Sequence, residues 1–335
     1  MVKYIIKRLL ISIVILLGVS IIIYTMVRLM PNDYVDNKFS SQLSQGTIDM
    51  EDIQHFKELY GIGDNSFLGI LSGYFQWLGN LLKGDLGISF KYQKPVGEVI
   101  SQNMWISFAI AIVATILQFL IAIPLGISSA THQYSVRDYA VTVFTMIGIS
   151  LPTYFFAAIV IKIFAVDLGI LPPSGLIYPT KSYAENFVGQ MERFGDILVH
   201  LIMPIFVSVI LSIGALMRYT RTNTLEVLGA DYIRTARAKG LSEHKVIYKH
   251  AFRNTLIPLA TLLAGILPSL FGGMMITEEV FAIDGIGRLA YQALREGDVP
   301  FVMGYNMFLA ILTVIGTLLS DIMYAVVDPR VKLGK

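Results

Sequence analysis

The sequence predicts an all-α integral membrane protein with six transmembrane helices and a cytoplasmic loop of charged helices. Three observations predict it. The chain has 335 residues, of which 55% are hydrophobic and only 15% charged, and its mean hydropathy is +0.64. A soluble domain carries about 25% charged residues, so much of this surface does not face water. Six apolar runs are long enough to cross a bilayer, and Lys and Arg gather on alternate connections between them.

The first run, Leu9 to Val27, follows Lys3, Lys7 and Arg8. It is about 19 residues long, beyond the roughly 7–15 of a signal-peptide core and near the ~20 that span a membrane. No small-x-small cleavage site follows. Residues 1–30 are therefore read as an uncleaved first transmembrane helix, Leu9–Met30.

Residues 31–103 form an extracytoplasmic segment rich in acid: Asp33, Asp36, Asp49, Glu51, Asp52, Glu58, Asp64, Asp85 and Glu98. Within it TIDMEDIQHFKELYGIG reads as a short helix, capped by Asp49 or Thr47 and ended by Gly61. FLGILSGYFQWLGNLLKGDLG then sets apolar residues at helical spacing, with Tyr74 and Trp77 suited to an interface. It predicts an amphipathic helix on the membrane or against the bundle. It is not a seventh span, because Lys83 and Asp85 come too soon.

A five-helix core follows at 104–327, with spans near Met104–Ser128, Tyr139–Phe164, Ile197–Met217, Thr255–Thr277 and Val302–Val326, then a tail at 328–335. Helices are required because each backbone polar group in lipid must be paired within its own segment. The period-2 alternation of a membrane barrel is absent. Pro124, Pro152, Pro204, Pro258 and Pro268 fall inside the spans, either as plain kinks or as bends around a pathway.

Six spans put both termini on one side. That side carries Lys3, Lys7, Arg8, Arg137, the basic segment Arg218–Arg253, Arg330, Lys332 and Lys335, so it is cytoplasmic. A net charge of +2 gives no reason to expect nucleic acid, and the absence of cysteine excludes disulfides, thiol nucleophiles and Cys-based metal sites.

The longest cytoplasmic loop, 218–254, is helix-prone and basic. Gly240 can end one short helix and Ser242 can cap the next, whose apolar side is Val246, Ile247 and Phe252. Such a hairpin projects from the membrane. Spacing alone leaves its partner open. It fits an anchor on anionic lipid, a solvated loop, a nucleic-acid patch that the membrane context disfavours, or a docking element.

The wording of the loop adds a resemblance. DYIRTARAKGLSEHKVIYKHAFRNTLIP, 231–258, resembles the cytoplasmic coupling loop of binding-protein-dependent ABC transporter permeases, and is most similar to their oligopeptide/dipeptide/nickel group. Arg234, Thr235 and Ala236 stand where the wider superfamily has Glu-Ala-Ala, and Gly240 keeps the glycine. GDLGISF (84–90), GISLPTYFFA (148–157), LGILPPSG (168–175), EEVFAIDGIGRLA (278–290) and DIMYAVVDPRVK (321–332) are similar to the same group in the same order. Two positions depart from its pattern. Asn32-Asp33-Tyr34 replaces the usual Gly-Asp-Pro, and Asp284 stands where proline is common.

The resemblance implies a permease subunit of an ATP-driven importer for oligopeptides or dipeptides, with nickel or metal chelates as the alternative. It implies a heterodimer with a second, related permease, two cytoplasmic ABC ATPase subunits and an extracytoplasmic substrate-binding protein. It assigns ATPase coupling to Asp231, Tyr232, Arg234, Thr235, Ala236, Arg237, Lys239, Gly240, Leu241, His250, Arg253 and Asn254. It also offers Phe271, Met274, Met275 and Glu278 for the translocation path, and a bacterial or archaeal cytoplasmic membrane as location.

Catalytic and cofactor motifs are absent. There is no G-x-x-x-x-G-K-[ST], so the chain is not expected to hydrolyse ATP itself. DGIGRLA contains G-x-G-x-x-A, but follows a spanning helix rather than a strand and reads as a glycine-shaped turn. The five histidines, His55, His132, His200, His244 and His250, are scattered and predict no metal site. An ion-coupled transporter is the rival of another class, yet the spans hold almost no titratable group near the midplane. Lys162, His200 and Asp321 lie near span ends, and Asp321 reads equally as a coupling partner for a basic residue or as an interfacial carboxylate. An intramembrane enzyme would need a nucleophile with a base, paired aspartates or a metal centre at depth, and none is evident.

Overall fold

A computed structural model describes residues 2–28, 51, 66–252, 255 and 263–327. The expected short helix at 47–63, the junction at 253–254, the start of the expected fifth span and the tail at 328–335 lie outside the described residues. The regular elements of the described residues are all helices, apart from one isolated antiparallel bridge between Ile88 and Pro95. The chain divides into two compact units. One comprises 1–105, 289–319 and 330–335, and the other comprises 106–288 and 320–329.

In the first unit, α1 (Val2–Arg28) and α2 (Phe67–Leu82) pack together. Ser66 starts α2 by accepting a 3.0 Å hydrogen bond from the Gly69 amide, which satisfies one of the orphan donors of the first turn. The aromatic stripe foreseen on α2 faces α1. Trp77 and Tyr24 are buried, their rings 5.8 Å apart, and Tyr74 meets Tyr24 edge-on at 5.6 Å. The Tyr74 hydroxyl pairs with Ser20 Oγ at 2.8 Å, so the polar end of the ring is satisfied inside the contact.

The GDLGISF turn completes this unit. Gly84 and Gly87 both take positive φ, +85° and +82°. The turn is tied down by Asp298, buried between α11 (Ile286–Glu296) and α12 (Val299–Val327). The Asp298 carboxylate accepts from Ser89 Oγ, from the Lys91 amide at 3.0 Å and from the Phe301 amide at 3.2 Å. Lys91 also pairs with Glu296.

The second unit is built on α3 (Val96–Thr131), from residue 106 onward, and on α6 (Phe187–Leu228). Packed against α6 are α4 (Val136–Ser150) and α5 (Thr153–Ile161), the latter continuing as a π-helical turn over Lys162–Asp167. Lipid supplies no hydrophobic drive between helices, so close approach of backbones has to do the work. A Cβ on Gly214 of α6 would lie 2.6 Å from the Thr145 carbonyl of α4, and one on Gly148 of α4 would lie 2.8 Å from the Ile210 carbonyl of α6.

Among the described residues, four helices are long and apolar enough to cross a membrane: 6–26, 96–131, 187–228 and 299–321. The expected third span is not one rod. α4 and α5 meet at a 102° bend around Leu151-Pro152, where proline can neither continue the ladder nor leave its neighbour in the α region. Counting that bent pair as a span gives five among the described residues, so six is not reached there. The described part of the expected fifth span is α9 (Leu263–Phe271), a break at 272–274, and α10 (Met275–Val280).

One buried ion pair locks the second unit. Arg221 of α6 donates to both carboxylate oxygens of Asp138 at 2.9 Å, and to Ser129 Oγ at 3.1 Å, while Ser129 also donates to Asp138. The Tyr134 amide adds a fourth donor at 3.0 Å. Breaking a buried pair leaves an uncompensated charge. Asp138→Asn or Arg221→Met is expected to cost about 3 kcal/mol. Asp138→Leu combined with Arg221→Met should cost less than either, a reversal readable by thermal denaturation of the detergent-solubilised protein.

Candidate functional site

The charged hairpin forms as two short helices folded on each other. α7 (Asp231–Ala238) ends at Lys239, and Gly240 takes φ +72°, donating its amide to the Arg237 carbonyl at 2.9 Å. α8 starts at Glu243–Lys245 and continues as a π-helical turn over Val246–Ala251. Ser242 holds the cap position with extended backbone, but its hydroxyl makes no capping bond there. The turn is closed instead by Arg237, whose guanidinium grips Glu243 with two bonds, Nε to Oε1 at 2.8 Å and Nη2 to Oε2 at 3.3 Å. That pairing was missed from sequence, although a basic and an acidic residue flanking a Gly turn are its visible signal.

A small apolar core holds the two helices together. Ile233, Ala236, Val246 and Ala251 are buried, with Val227, Leu228 and Leu241 packed against them. The predicted coupling residues therefore divide. Ala236 and Leu241 face inward. Asp231, Tyr232, Arg234, Thr235, Arg237, Lys239 and Gly240 are exposed, and His250 is half-buried. Arg253 and Asn254 lie outside the described residues. Tyr232 is 46% exposed, and partial loss of water around its hydroxyl raises the phenol above the ordinary tyrosine value. Arg234 and Asp231 lie 3.7 Å apart and fully in solvent, so the pair orients the face without stabilising it much.

The hairpin is mounted on a long helical arm. α6 runs unbroken for 42 residues to Leu228 and leads through Gly229-Ala230 into α7. Arg221, in the last two turns of α6, is the residue clamped to Asp138 at the start of α4. The end of α6 that carries the hairpin is thus tied to the start of α4.

The four path candidates also divide. A cavity of about 420 Å³ opens in the second unit, and Gly273, Met274 and Thr277 are among its lining residues. Phe271, Met275 and Glu278 are not. Phe271 stacks on Phe108 with ring centroids 4.7 Å apart. Glu278 is 1% exposed and serves as a buried knot. Its Oε1 accepts from Ser107 Oγ at 2.7 Å and from the Met274 amide at 2.9 Å, and its Oε2 accepts from the Arg288 amide at 2.9 Å.

The Glu278 knot explains the G-x-G run. A Cβ on Gly285 would sit 2.5 Å from Glu278 Oε2, and one on Gly287 would sit 2.8 Å from the Met275 amide. These glycines let backbone close around a carboxylate, and neither needs positive φ. Gly273, across the knot, does take φ +76° and forms the break between α9 and α10. Among the described residues no cluster of His, Cys, Asp or Glu could hold a metal.

Residues 122–333 match the family described as binding-protein-dependent transport system inner membrane component. The chain belongs to this family. It is thus the membrane-embedded permease component of an ABC transport system. The permease is 37% identical over 333 residues to the oligopeptide transport system permease protein AppB of Bacillus subtilis (strain 168), covering 99% of this chain and 100% of that one. It is 32% identical over 342 residues to the dipeptide transport system permease protein DppB of Alkalihalophilus pseudofirmus, covering 99% and 100%. Among solved structures, a chain from inward-facing conformations of the MetNI methionine ABC transporter is similar at TM-score 0.49 and 18% identity, covering 69% of this chain and 96% of that one.

Proposed function

We propose that this permease is the channel-forming subunit of an ATP-driven importer of oligopeptides or dipeptides, and that the 231–251 hairpin is the handle through which separate ATPase subunits move it. The observation that carries the reading is the hairpin itself. It presents an exposed face of Asp231, Tyr232, Arg234, Thr235 and Lys239 on a rigid apolar core, at the end of a 42-residue helix. A lipid anchor or a solvated loop has no need of such a core or such an arm. Peptide as cargo is supported by two relatives that match over nearly the whole chain and are named for oligopeptide and dipeptide transport.

In this reading two ATPase subunits sit beneath the permease and a related second permease, both hairpins point into the cytoplasm, and an extracytoplasmic binding protein delivers the peptide. ATP does work only if the closed ATPase pair binds one permease state better than the other. The clamp between Arg221 and Asp138 lets that preference reach α4 and α6 as a unit. The reading is tested by purifying the permease with its membrane partners and measuring uptake into proteoliposomes. ATP-dependent uptake of labelled peptide, with no uptake of nickel chelates, is expected. Uptake driven by an ion gradient without ATP would refute it.

A further inference from the structure

The cavity in the second unit has an unusual chemistry for a space between membrane helices. Its described lining holds no ionisable side chain, yet more than half of its residues carry a hydroxyl or amide. The protons of the serines are already committed. Ser208 Oγ donates to the Pro204 carbonyl at 2.8 Å, Ser212 Oγ to the Ser208 carbonyl at 2.7 Å, and Ser269 Oγ to the Ile266 carbonyl at 2.7 Å. A hydroxyl has one proton and two lone pairs, so each of these serines offers acceptor capacity only.

Gln118 is biased the same way. Its Nε2 donates to the Ser212 carbonyl at 3.0 Å. A carbonyl can only accept, so this bond sets which end of the amide is nitrogen. It leaves the Gln118 side-chain oxygen without a partner among the described residues. Met274 adds a soft sulfur, already touched by Ser208 at 3.0 Å. The wall is thus uncharged and rich in acceptors; its serine protons are spent, while Thr115, Thr153 and Thr277 keep hydroxyls that can also donate.

We propose that this cavity is a transit site that grips an extended peptide backbone by its N–H groups. The inference rests on the reading of the chain as a peptide permease and deepens it. Acceptors pair with amide N–H and with an amino terminus. The threonine hydroxyls can answer the peptide carbonyls in turn, so the wall pairs with backbone groups and offers no ion pair to a charged side chain. With no charge on the wall, side chains of either sign are treated alike, so selection by side chain has to occur elsewhere. The volume of about 420 Å³ suits a few residues at a time.

The test uses the complete transport complex in proteoliposomes. Uptake of trialanine is compared with uptake of trialanine methylated on both backbone nitrogens, each at saturating binding protein. The binding protein is common to all arms, so its own preference cancels between permease variants. Ser208→Ala combined with Ser212→Ala, and separately Thr115→Val, are expected to slow trialanine alone. The ratio of the two rates should fall roughly three- to ten-fold, the scale of one lost hydrogen bond. A ratio unchanged in both variants, in a complex that still imports trialanine, would overturn the inference while leaving the permease reading intact. No ATP-dependent peptide uptake by the unaltered complex would overturn the permease reading itself. A measurement without substitutions guards against misfolded variants. A diazirine-bearing peptide trapped during turnover should label the 115–118 and 208–212 segments, and labelling confined to other segments contradicts the proposal.

Discussion

Gly240→Pro leaves the permease inserted in the membrane and removes its capture of ATPase subunits by at least about tenfold. The reasons are local. Gly240 sits at φ +72°, a region closed to proline, whose ring fixes φ near −65°. Its amide also donates to the Arg237 carbonyl, a bond proline cannot make. The turn must therefore open, separating Arg237 from Glu243 and uncovering Ile233 and Val246. The spans of the two units are stabilised by other contacts and should persist. Gly240→Ala, which keeps the amide and adds about 1 kcal/mol of left-handed strain, is expected to weaken capture mildly. The check is co-purification of ATPase subunits against equal amounts of membrane-inserted permease. Full capture by the proline variant would sink the hairpin assignment.

Glu278→Ala has the largest expected effect on stability. It strips a buried carboxylate from three donors, Ser107 Oγ and the amides of Met274 and Arg288, and leaves them facing a void. Leaving three buried donors unpaired beside a cavity is expected to cost about 4 kcal/mol. For a unit of this size that lowers the thermal midpoint by roughly 10 °C. Glu278→Gln should recover only part, because one carboxylate oxygen becomes an NH₂ group that cannot accept. Its remaining oxygen can serve Ser107 and Met274, but the amide nitrogen then meets the Arg288 N–H. Because Gly273 and Met274 border the cavity, the same variants are expected to impair uptake before they impair insertion. Thermal denaturation followed by fluorescence, together with membrane yield, separates the two effects. A midpoint unchanged in Glu278→Ala would show that the knot carries little.

What was legible in the sequence had a local cause. Spans at 6–26, 96–131, 187–228 and 299–321 declare themselves because twenty apolar residues in a row have no other stable place. The hairpin was legible because Gly240 interrupts a basic helix and because Val246, Ile247 and Phe252 give its second half an apolar side; the buried side of the first half, Ile233 and Ala236, was not. What was not legible joins residues far apart in the chain. Ser107 and Glu278 are 171 positions apart, and Arg221 and Asp138 are 83 apart. Glu278 looked like a pathway residue because the resemblance sets its span along the path. The glycines at 273, 285 and 287 were the signal that it is enclosed, since only they let backbone approach so closely. Pro152 was foreseen as a kink or bend, but not the 102° angle at Leu151-Pro152, across which both α4 and α5 pack on α6.

The most direct test of the handle uses the absence of native cysteine. Ala238→Cys places one thiol on the exposed side of α7 without disturbing Ile233 or Ala236 beneath it. Paired with single cysteines across the upper surface of the ATPase subunit, it should form a disulfide in the assembled complex, and the yield should change when ATP is added. The account predicts crosslinks confined to one groove on that subunit. A thiol at 238 that crosslinks to no ATPase position, yet reacts with a membrane-impermeant maleimide applied from outside, would place the hairpin on the wrong side and contradict the account.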